Sequence, residues 1–435
     1  MMNDNLMKES AVKPRITKLP QGVQIVTISQ PDKQSVSIGF WVRVGSRYES
    51  LSNAGVSHFL EHMLFKGTRV RSARKIKEDI EGSGGLLNAF TSEESTCYFT
   101  KIMSGKLGLA LEVLTDMFLH ATLEEKDFKK EREVIIEEIK MYEDVPAQQV
   151  QDLIGELMWP GHPLGRPISG TEKSLLKMTA RDMVRFKRRH YHPGNLVISA
   201  AGAVTHEEVV DSAKKLFRRK KEGGTFNPKP ARGISADQSS LFVRKTAEQA
   251  NFVIGVPAFS RYHPDRYKLA LLNLILGGNM SSRLFEALRE KRGLAYEIRS
   301  SGAFYRDTGA LFISAGAEPS KTRQTVKVIF SELKKLQERP VGKLELRRAK
   351  DYFISQFLMS LEDSLDHMFW VGESFVYKAH IPSEAQICRR IEAVTSDEIK
   401  QTADKLFASG AFRLACIGPL TEKDQRGIEK DLAAS

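Results

Sequence analysis

The spacing of apolar residues predicts a β-strand early in each half of the chain. In residues 35–44, apolar side chains occupy every second position, as in a strand that buries one face and leaves the other in solvent. Residues 251–256 form the corresponding apolar stretch of the second half. We therefore expect a sheet in each half of the protein.

The elements that follow these strands also repeat. Residues 84–118 predict a glycine-rich turn, two short strands and an amphipathic helix, with the second strand at 95–100. Residues 293–333 predict the same order, with the second strand at 310–315 and the helix at 322–333. This repeated order indicates two homologous α+β domains.

A segment without periodicity separates the two repeats. Residues 221–233 are rich in glycine, proline and charged residues, a composition that is typical of a linker. A chain of 435 residues is long enough for two domains of ordinary size. We predict an N-terminal domain over 1–222, a linker over 223–240 and a C-terminal domain over 241–435.

Two histidines stand four residues apart in the first half, in the arrangement H-x-x-E-H. On a helix, His58 and His62 would share one face, so both imidazoles could reach a single metal ion. Glu61 would lie on the flank of that face, where it could contact a metal-bound water without being a ligand. The order is the reverse of the commoner H-E-x-x-H zinc peptidase signature. The alternative is a surface histidine pair on a helix rich in Phe, Leu and Met.

A hydrolytic zinc site needs a third protein ligand, and residues 131–142 offer the best donors. They predict a charged helix in which Glu133 and Glu137 have charged neighbours three and four residues away, as on a solvated face. Glu131 and Glu138 have mainly apolar neighbours at those distances. Because a desolvated carboxylate needs a cationic partner, we predict Glu138 as the third ligand and Glu131 as a support for one histidine.

The composition describes a soluble globular protein. The chain is 41% hydrophobic and 28% charged, and its apolar runs are shorter than the roughly 18 residues that span a bilayer. Residues 1–10 contain no apolar signal core, and Asp4 and Glu9 argue against an arginine-rich transit peptide. Three cysteines, an odd number without a close pair, argue against a disulfide framework. We predict a reducing compartment, most simply a bacterial cytoplasm, and no transmembrane segment.

The net charge of +12 does not by itself predict nucleic-acid binding. We interpret the basic clusters 185–190 and 214–221 as exposed sides of helices, because no DNA- or RNA-binding motif accompanies them. We therefore predict no nucleic-acid partner. A weak acidic partner or an anionic membrane surface stays open as an alternative.

Several motifs together resemble the pitrilysin-type zinc metallopeptidases, or inverzincins. The likeness covers nearly the whole chain and is strongest to the short-chain branch of mitochondrial processing peptidase and its bacterial relatives. Glu131 and Glu138 stand at the seven-residue separation of this family. The other segments that carry the likeness are 55–68, 84–91, 163–170, and 282–285 running to Tyr296.

The resemblance implies a function for the candidate residues. His58, His62 and Glu138 would bind one Zn²⁺ per chain. Glu61 would be the general base on zinc-bound water, and Glu131 would support the site. The family implies two domains, each a mostly antiparallel sheet packed with helices, that face each other as a clamshell. It also implies an endopeptidase that hydrolyses unfolded peptides or small proteins, with no zinc site in the second half, which lacks the H-x-x-E-H motif.

Five further residues acquire functions only through the resemblance. Arg289 and Tyr296 match an arginine and a tyrosine of the C-terminal domain that reach the substrate, where they would help to hold an oxyanion. Without the family they would be interpreted as a solvated helix arginine and a packed tyrosine. Asn88, Ala89 and Phe90 would offer a strand edge to an extended peptide.

The chain departs from the processing peptidases at one position. Asp152 matches one of two acidic residues associated with recognising an arginine near the cleavage site, but Gln148 replaces the other. A preference for arginine is therefore not predicted.

The motifs also bear on assembly and on the competing class of function. Because one chain carries both the zinc motif and the Arg289/Tyr296 pair, we predict a homodimer, with one subunit of a heterodimeric processing peptidase as an alternative. The competing hypothesis is a non-catalytic scaffold. Scaffold members of the family typically lose part of the zinc motif, which this chain retains.

Overall fold

A computed structural model describes residues 13–218, 223–224, 226–231, 238–378, 381–408 and 410–435. The strands of this part of the chain are β1 (Arg15–Lys18), β2 (Gln24–Ser29), β3 (Ser35–Val42), β4 (Leu86–Thr91), β5 (Thr96–Met103), β6 (Leu196–Gly202), β7 (Ser240–Arg244), β8 (Ala250–Ala258), β9 (Ala295–Phe304), β10 (Gly309–Ala317) and β11 (Arg413–Gly418).

The α-helices of the described residues are α1 (Val56–Leu64), α2 (Ala73–Ile80), α3 (Leu107–His120), α4 (Glu125–Asp144), α5 (Pro146–Met158), α6 (Glu172–Lys177), α7 (Ala180–His190), α8 (His206–Leu216), α9 (Arg266–Leu276), α10 (Thr322–Glu338), α11 (Lys343–Ser360), α12 (Ser364–Lys378), α13 (Glu384–Glu392), α14 (Ser396–Leu406) and α15 (Glu422–Ala433). None of them is long and apolar enough to cross a membrane.

The strands form two sheets with corresponding topologies. The first sheet has the order β1-β2-β6-β3-β5-β4 and the second has the order β7-β11-β8-β10-β9. In each sheet one pair is parallel, β2 with β6 and β7 with β11, and the other pairs are antiparallel. The predictions of an α+β fold, of mostly antiparallel sheets and of a repeated element order are confirmed.

The described residues group into two compact units, and each unit takes segments from both halves of the sequence. The first unit comprises the described parts of 1–139, 167–229 and 357–385, and the second those of 140–166, 230–356 and 386–435. Helix α12 therefore packs on β2, β3 and β6 of the first sheet, whereas α5 packs on β7, β8 and β11 of the second. The boundary at 223–240 stays a prediction, and its residues 225 and 232–237 lie outside the described part.

Strand β3 is buried on both faces, which corrects the prediction that it is half-buried. One face contributes to the main core of the first unit, and α12 covers the other. Small residues permit this close approach: a Cβ on Gly39 would lie 2.5 Å from the sulfur of Met368 on α12. The Ser37 hydroxyl is 2.9 Å from that of Ser364, so the polar positions of the alternating pattern are satisfied inside the protein.

Candidate metal centre

Helix α1 carries both predicted metal-binding histidines on its less buried face. Its apolar residues, among them Phe59 and Leu60, are fully buried in the core of the first unit. The side chains of His58 and His62 keep 14% and 23% of their surface exposed, and their ring centroids are 4.6 Å apart. The four-residue spacing thus brings the two imidazoles together, as predicted.

Helix α4 packs beside α1 and brings the predicted third ligand to the histidines. The rings of Phe128 on α4 and Phe59 on α1 stack with centroids 4.6 Å apart. Glu131 is buried on the inner face of α4, and Glu138 lies at the edge of that face with 23% of its side chain exposed. The prediction of apolar surroundings for Glu138 was only partly right, because its neighbours Val134, Met141 and Tyr142 are exposed.

Three side chains converge on one point with donor atoms suited to a metal. Nε2 of His58 is 3.8 Å from Oε1 of Glu138, and Nε2 of His62 is 3.7 Å from Oε2 of the same carboxylate. In a tetrahedral zinc site with bonds of about 2.0–2.2 Å, neighbouring donors lie about 3.3–3.6 Å apart. Two imidazoles and one carboxylate are also a donor set of catalytic zinc sites that leave a fourth position for water. The residues therefore fit zinc.

No other group in the described part of the chain has this property. Only His58, His62 and Glu138 bring three or more His, Cys, Asp or Glu donor atoms within 4.8 Å of one another among the residues described. The structure places this group in the first unit.

Glu131 and Lys66 hold the second histidine. Nδ1 of His62 lies 3.0 Å from Oε1 of Glu131, and Lys66 forms an ion pair with the other carboxylate oxygen. Burial acts to raise the pKa of Glu131, but hydrogen bonds from His62 and Lys66 outweigh it and lower that pKa. Because the ionised carboxylate only accepts hydrogen bonds, Nδ1 carries the proton, and Nε2 on the side of Glu138 is the nitrogen that could bind a metal.

The pKa values of the two histidines are shifted in opposite directions. Burial, with a smaller contribution from nearby His62, lowers the pKa of His58 to about 4. Burial also acts to lower the pKa of His62, but Glu131, Glu138 and Glu61 outweigh it and raise that pKa. His58 is therefore neutral near pH 7 without a metal, which is the form that binds zinc.

Glu61 lies beside this group and is oriented by the strand that follows α2. The hydroxyl of Thr91, the last residue of β4, donates a hydrogen bond to Oε2 of Glu61 at 2.5 Å. Burial raises the pKa of Glu61 above its usual value, and the nearby charge of Glu138 adds to this increase. The hydrogen bond from Thr91 and the charge of His62 act to lower the pKa but do not outweigh burial. A carboxylate with a raised pKa is suited to proton transfer near neutral pH.

The predicted peptide-binding residues lie on the outer strand of the first sheet. Asn88, Ala89 and Phe90 belong to β4, which pairs with β5 on one side and has no strand on its other side among the described residues. The Phe90 ring contacts Trp41 edge to face, with centroids 5.6 Å apart. An unpaired strand edge is the backbone surface to which an extended peptide can add.

Arg289 and Tyr296 lie together in the second unit. The Arg289 guanidinium carbon is 5.1 Å from the ring centre of Tyr296 and 4.9 Å from that of Phe285. Arg289 belongs to a π-helical turn over Phe285–Glu290, and Tyr296 exposes 75% of its surface at the start of β9. The pair is stacked and accessible, unlike the packed tyrosine of the alternative interpretation.

Comparison with known proteins establishes the family. Residues 24–172 match the family described as insulinase (peptidase family M16), and residues 177–353 match the peptidase M16 inactive domain. An uncharacterized zinc protease of Streptomyces coelicolor is 38% identical over 96% of this chain and 92% of its own length. The uncharacterized zinc protease YmxG of Bacillus subtilis is 37% identical over 92% of this chain and 96% of its own length. The chain therefore belongs to peptidase family M16, and the resemblance found in its motifs is confirmed.

Solved structures agree on the fold. The crystal structure of a protease from Helicobacter pylori has a TM-score of 0.89 and 23% identity, and covers 94% of this chain and 100% of that chain. A peptidase M16 inactive domain from Pseudomonas fluorescens has a TM-score of 0.87 and 17% identity, and covers 94% of this chain and 98% of that chain. At these identities the likeness is one of fold.

Two residues that the structure brings to the site were not predicted from the sequence. Lys66 and Thr91 contact Glu131 and Glu61 respectively. Both lie within segments that carry the family resemblance, 55–68 and 84–91. Their place within these segments was the signal that could have identified them. No local pattern shows the contacts themselves, because each joins residues at least 30 positions apart along the chain.

Proposed function

We propose that the protein is a zinc-dependent endopeptidase that hydrolyses peptide bonds in unfolded peptides or small proteins. The observation that carries the proposal is the convergence of His58, His62 and Glu138 beside the half-buried carboxylate of Glu61. The relatives named zinc proteases support it. One Zn²⁺ per chain would occupy these donors.

The residues around the donors suit hydrolysis. Zinc bound there would polarise a peptide carbonyl and lower the pKa of a water molecule towards neutrality. Glu61 would take the proton of the attacking water on Oε1 while Thr91 holds Oε2, and would then return it to the leaving amine. Glu131 and Lys66 would keep His62 in the tautomer that presents Nε2.

Two surfaces would hold the substrate. The open edge of β4 at Asn88, Ala89 and Phe90 would add an extended peptide as a further strand, which selects unfolded chains over folded ones. Arg289 and Tyr296 would donate hydrogen bonds to the substrate carbonyl and its oxyanion.

We further propose a cytoplasmic homodimer. Cys97, Cys388 and Cys416 are all buried, and three cysteines far apart in the sequence suit a reducing compartment. A non-catalytic scaffold or one subunit of a heterodimer is the second candidate. The retained donor set and the oriented Glu61 favour the enzyme over the scaffold.

The test is cleavage of quenched-fluorescent peptides by wild type, Glu61→Gln and the exposed control Glu81→Gln, with zinc content measured on each sample. The amide that replaces the carboxylate in Glu61→Gln cannot accept a proton, so we expect a loss of about 10²–10⁴-fold in kcat with zinc retained. Glu81→Gln should cleave like wild type. Unchanged cleavage by Glu61→Gln would refute the assignment of the base, and zinc binding without cleavage by wild type on a broad peptide set would favour the scaffold or the heterodimer subunit.

A further inference from the structure

Helix α1 begins without a side-chain cap of its own. Its first flanking residue, Gly55, has φ +93°, and no side chain at that position accepts a hydrogen bond from the first turn. A Cβ on Gly55 would lie 2.4 Å from the carbonyl oxygen of Ser169, so this position can hold only glycine. The Ser, Thr, Asp and Asn residues that normally satisfy the first amides of a helix are thereby excluded.

A carboxylate from an earlier loop takes the place of the missing cap. Oε2 of Glu49 accepts a hydrogen bond from the backbone N–H of Gly55, and Oε1 accepts one from that of Ser57, both at 2.7 Å. Glu49 is 5% exposed, so these charge-assisted bonds are shielded from water. Its negative charge also lies at the positive end of the helix dipole.

The segment that carries Glu49 is itself fixed to the turn between β4 and β5. The backbone N–H of Arg47 donates to the carbonyl of Glu93 at 2.8 Å. The guanidinium of Arg47 forms a fully buried ion pair with Glu94 at 2.6 Å. The carboxylate of Glu49 therefore projects from a rigid support, and this support is continuous with the strand that ends at Thr91.

His58 depends on this support more than His62 does. His62 is held through Nδ1 by Glu131, whereas the buried Nδ1 of His58 has no hydrogen-bond partner among the described residues. Among the described residues, the His58 ring is therefore not fixed by a hydrogen bond to Nδ1. The position of this ring relative to Glu138 depends on where the first turn of α1 begins. Ser57, whose amide Glu49 holds, is the residue immediately before it.

We propose that Glu49 is a positioning residue for the metal site, which fixes the first turn of α1 and with it the placement of His58. The inference rests on the proposed zinc site but assigns a residue that contacts neither metal nor substrate. Removing the charge should let the first turn fray, so that His58 samples positions out of reach of the shared metal. The expected consequence is weaker zinc binding by the full-length protein.

The experiment compares zinc affinity among wild type, Glu49→Gln and Glu208→Gln, by competition with a chromophoric chelator, and the visible spectrum of the Co²⁺-loaded proteins. Glu208 is a matched control, since its carboxylate accepts the backbone N–H of Thr205 at 2.8 Å at the start of α8, a helix that carries none of the candidate metal ligands. We expect Glu49→Gln to bind zinc at least about tenfold more weakly and to alter the Co²⁺ spectrum. Glu208→Gln should match wild type in both.

Several outcomes would overturn the inference. Equal zinc affinity of Glu49→Gln and wild type would do so, and so would an equal loss in Glu208→Gln, which would indicate general destabilisation. If circular dichroism shows that Glu49→Gln does not fold, zinc affinity is measured for Glu49→Asp instead. The shorter aspartate side chain cannot reach both amides, so a wild-type zinc affinity of Glu49→Asp would contradict the positioning role of Glu49. A wild type that binds no zinc would overturn the proposed function as well, whereas the other outcomes leave it intact.

Discussion

At the scale of single residues, Glu131 is the partner on which His62 depends. Its buried carboxylate accepts from His62 at 3.0 Å and pairs with Lys66. We expect Glu131→Gln to weaken zinc binding by about 10–100-fold, because the neutral amide loses the Lys66 pair and no longer fixes the tautomer. Zinc competition with a chelator measures the effect, with exposed Glu133→Gln on the same helix as control. Equal affinities of the two variants would contradict it.

Thr91 is expected to act on catalysis and not on zinc. Its hydroxyl holds one oxygen of Glu61, so Thr91→Val, which keeps the shape but not the donor, should lower kcat by about 10-fold or more with little change in KM. Thr91→Ser restores the donor and should recover most of the rate. Steady-state kinetics on one peptide check this, and a Val variant as fast as the Ser variant would rule out the role.

The sequence predicted the donors of the site and the supporting carboxylate of Glu131, but not Lys66 and Thr91, which hold Glu131 and Glu61. The spacing of His58 and His62 is a local property of one helix, and the apolar neighbours of Glu131 are visible from its own segment. Lys66 was missed because a lysine after a helix is usually solvated. Its contact with Glu131 depends on the packing of α1 against α4, which no local pattern encodes.

At the scale of elements, the close packing of α12 on the first sheet depends on glycine. A Cβ on Gly372 would lie 2.3 Å from Nε1 of Trp41 and 2.7 Å from the hydroxyl of Ser199. These two groups are already hydrogen-bonded to each other at 2.8 Å, so neither can move away without breaking that bond. We expect Gly372→Ala to lower the free energy of unfolding by about 1–3 kcal/mol through overpacking.

Gly155 provides the matched control on the counterpart helix α5. A Cβ there would meet its nearest atoms at 3.9 Å, an ordinary contact, so Gly155→Ala should raise the free energy of unfolding by about 0.5–1 kcal/mol through helix propensity. Urea denaturation of both variants tests the pair. Equal effects of the two substitutions would contradict the packing explanation.

Strand β3 shows why element burial was predicted less well than element type. Its alternation of apolar and polar residues identified a strand and gave its start at Ser35. The same alternation suggested a solvated face, but the polar positions are small residues such as Ser37 and Gly39 that accommodate α12. Helix α12 lies more than 300 residues further along the chain, so its partner sheet could not be predicted from local periodicity.

Across the whole molecule, two buried histidines outside the metal site contribute to the pH dependence of stability. Burial lowers the pKa of His190 and of His367 to about 4, and neighbouring positive charges, chiefly Arg189, add to this at His190. In the unfolded chain both take up protons near about pH 6.5. Because the unfolded state then binds more protons, the contribution of these histidines to stability should be constant above about pH 6.5 and fall as the pH decreases from about 6.5 to 4.

Thermal unfolding of the zinc-free protein between about pH 7.5 and 4.5, a range that brackets the titration of the free imidazole, checks this expectation. His367→Gln removes one titrating group, so its melting temperature should depend less steeply on pH than that of wild type. An equal dependence of the melting temperature on pH in the variant and in wild type would contradict the assignment.

The duplicated architecture was predictable because each repeat carries its own strand and helix patterns, and the strand pairs β4–β5 and β9–β10 lie where those patterns fall. The packing of α5, from the first half of the sequence, on the second sheet and of α12, from the second half, on the first sheet was not predictable. An amphipathic helix signals that it packs against something, but not against which sheet it packs.

The proposed binding of one zinc ion by His58, His62 and Glu138 is tested by the metal content of purified wild type, Glu138→Gln and Glu137→Gln. Glu137 is the exposed neighbour on the same helix, so its variant controls for the loss of a charge. We predict about one zinc per chain in wild type and Glu137→Gln, and a large loss in Glu138→Gln. Equal zinc in all three proteins, or none in wild type supplied with zinc, would refute this zinc site.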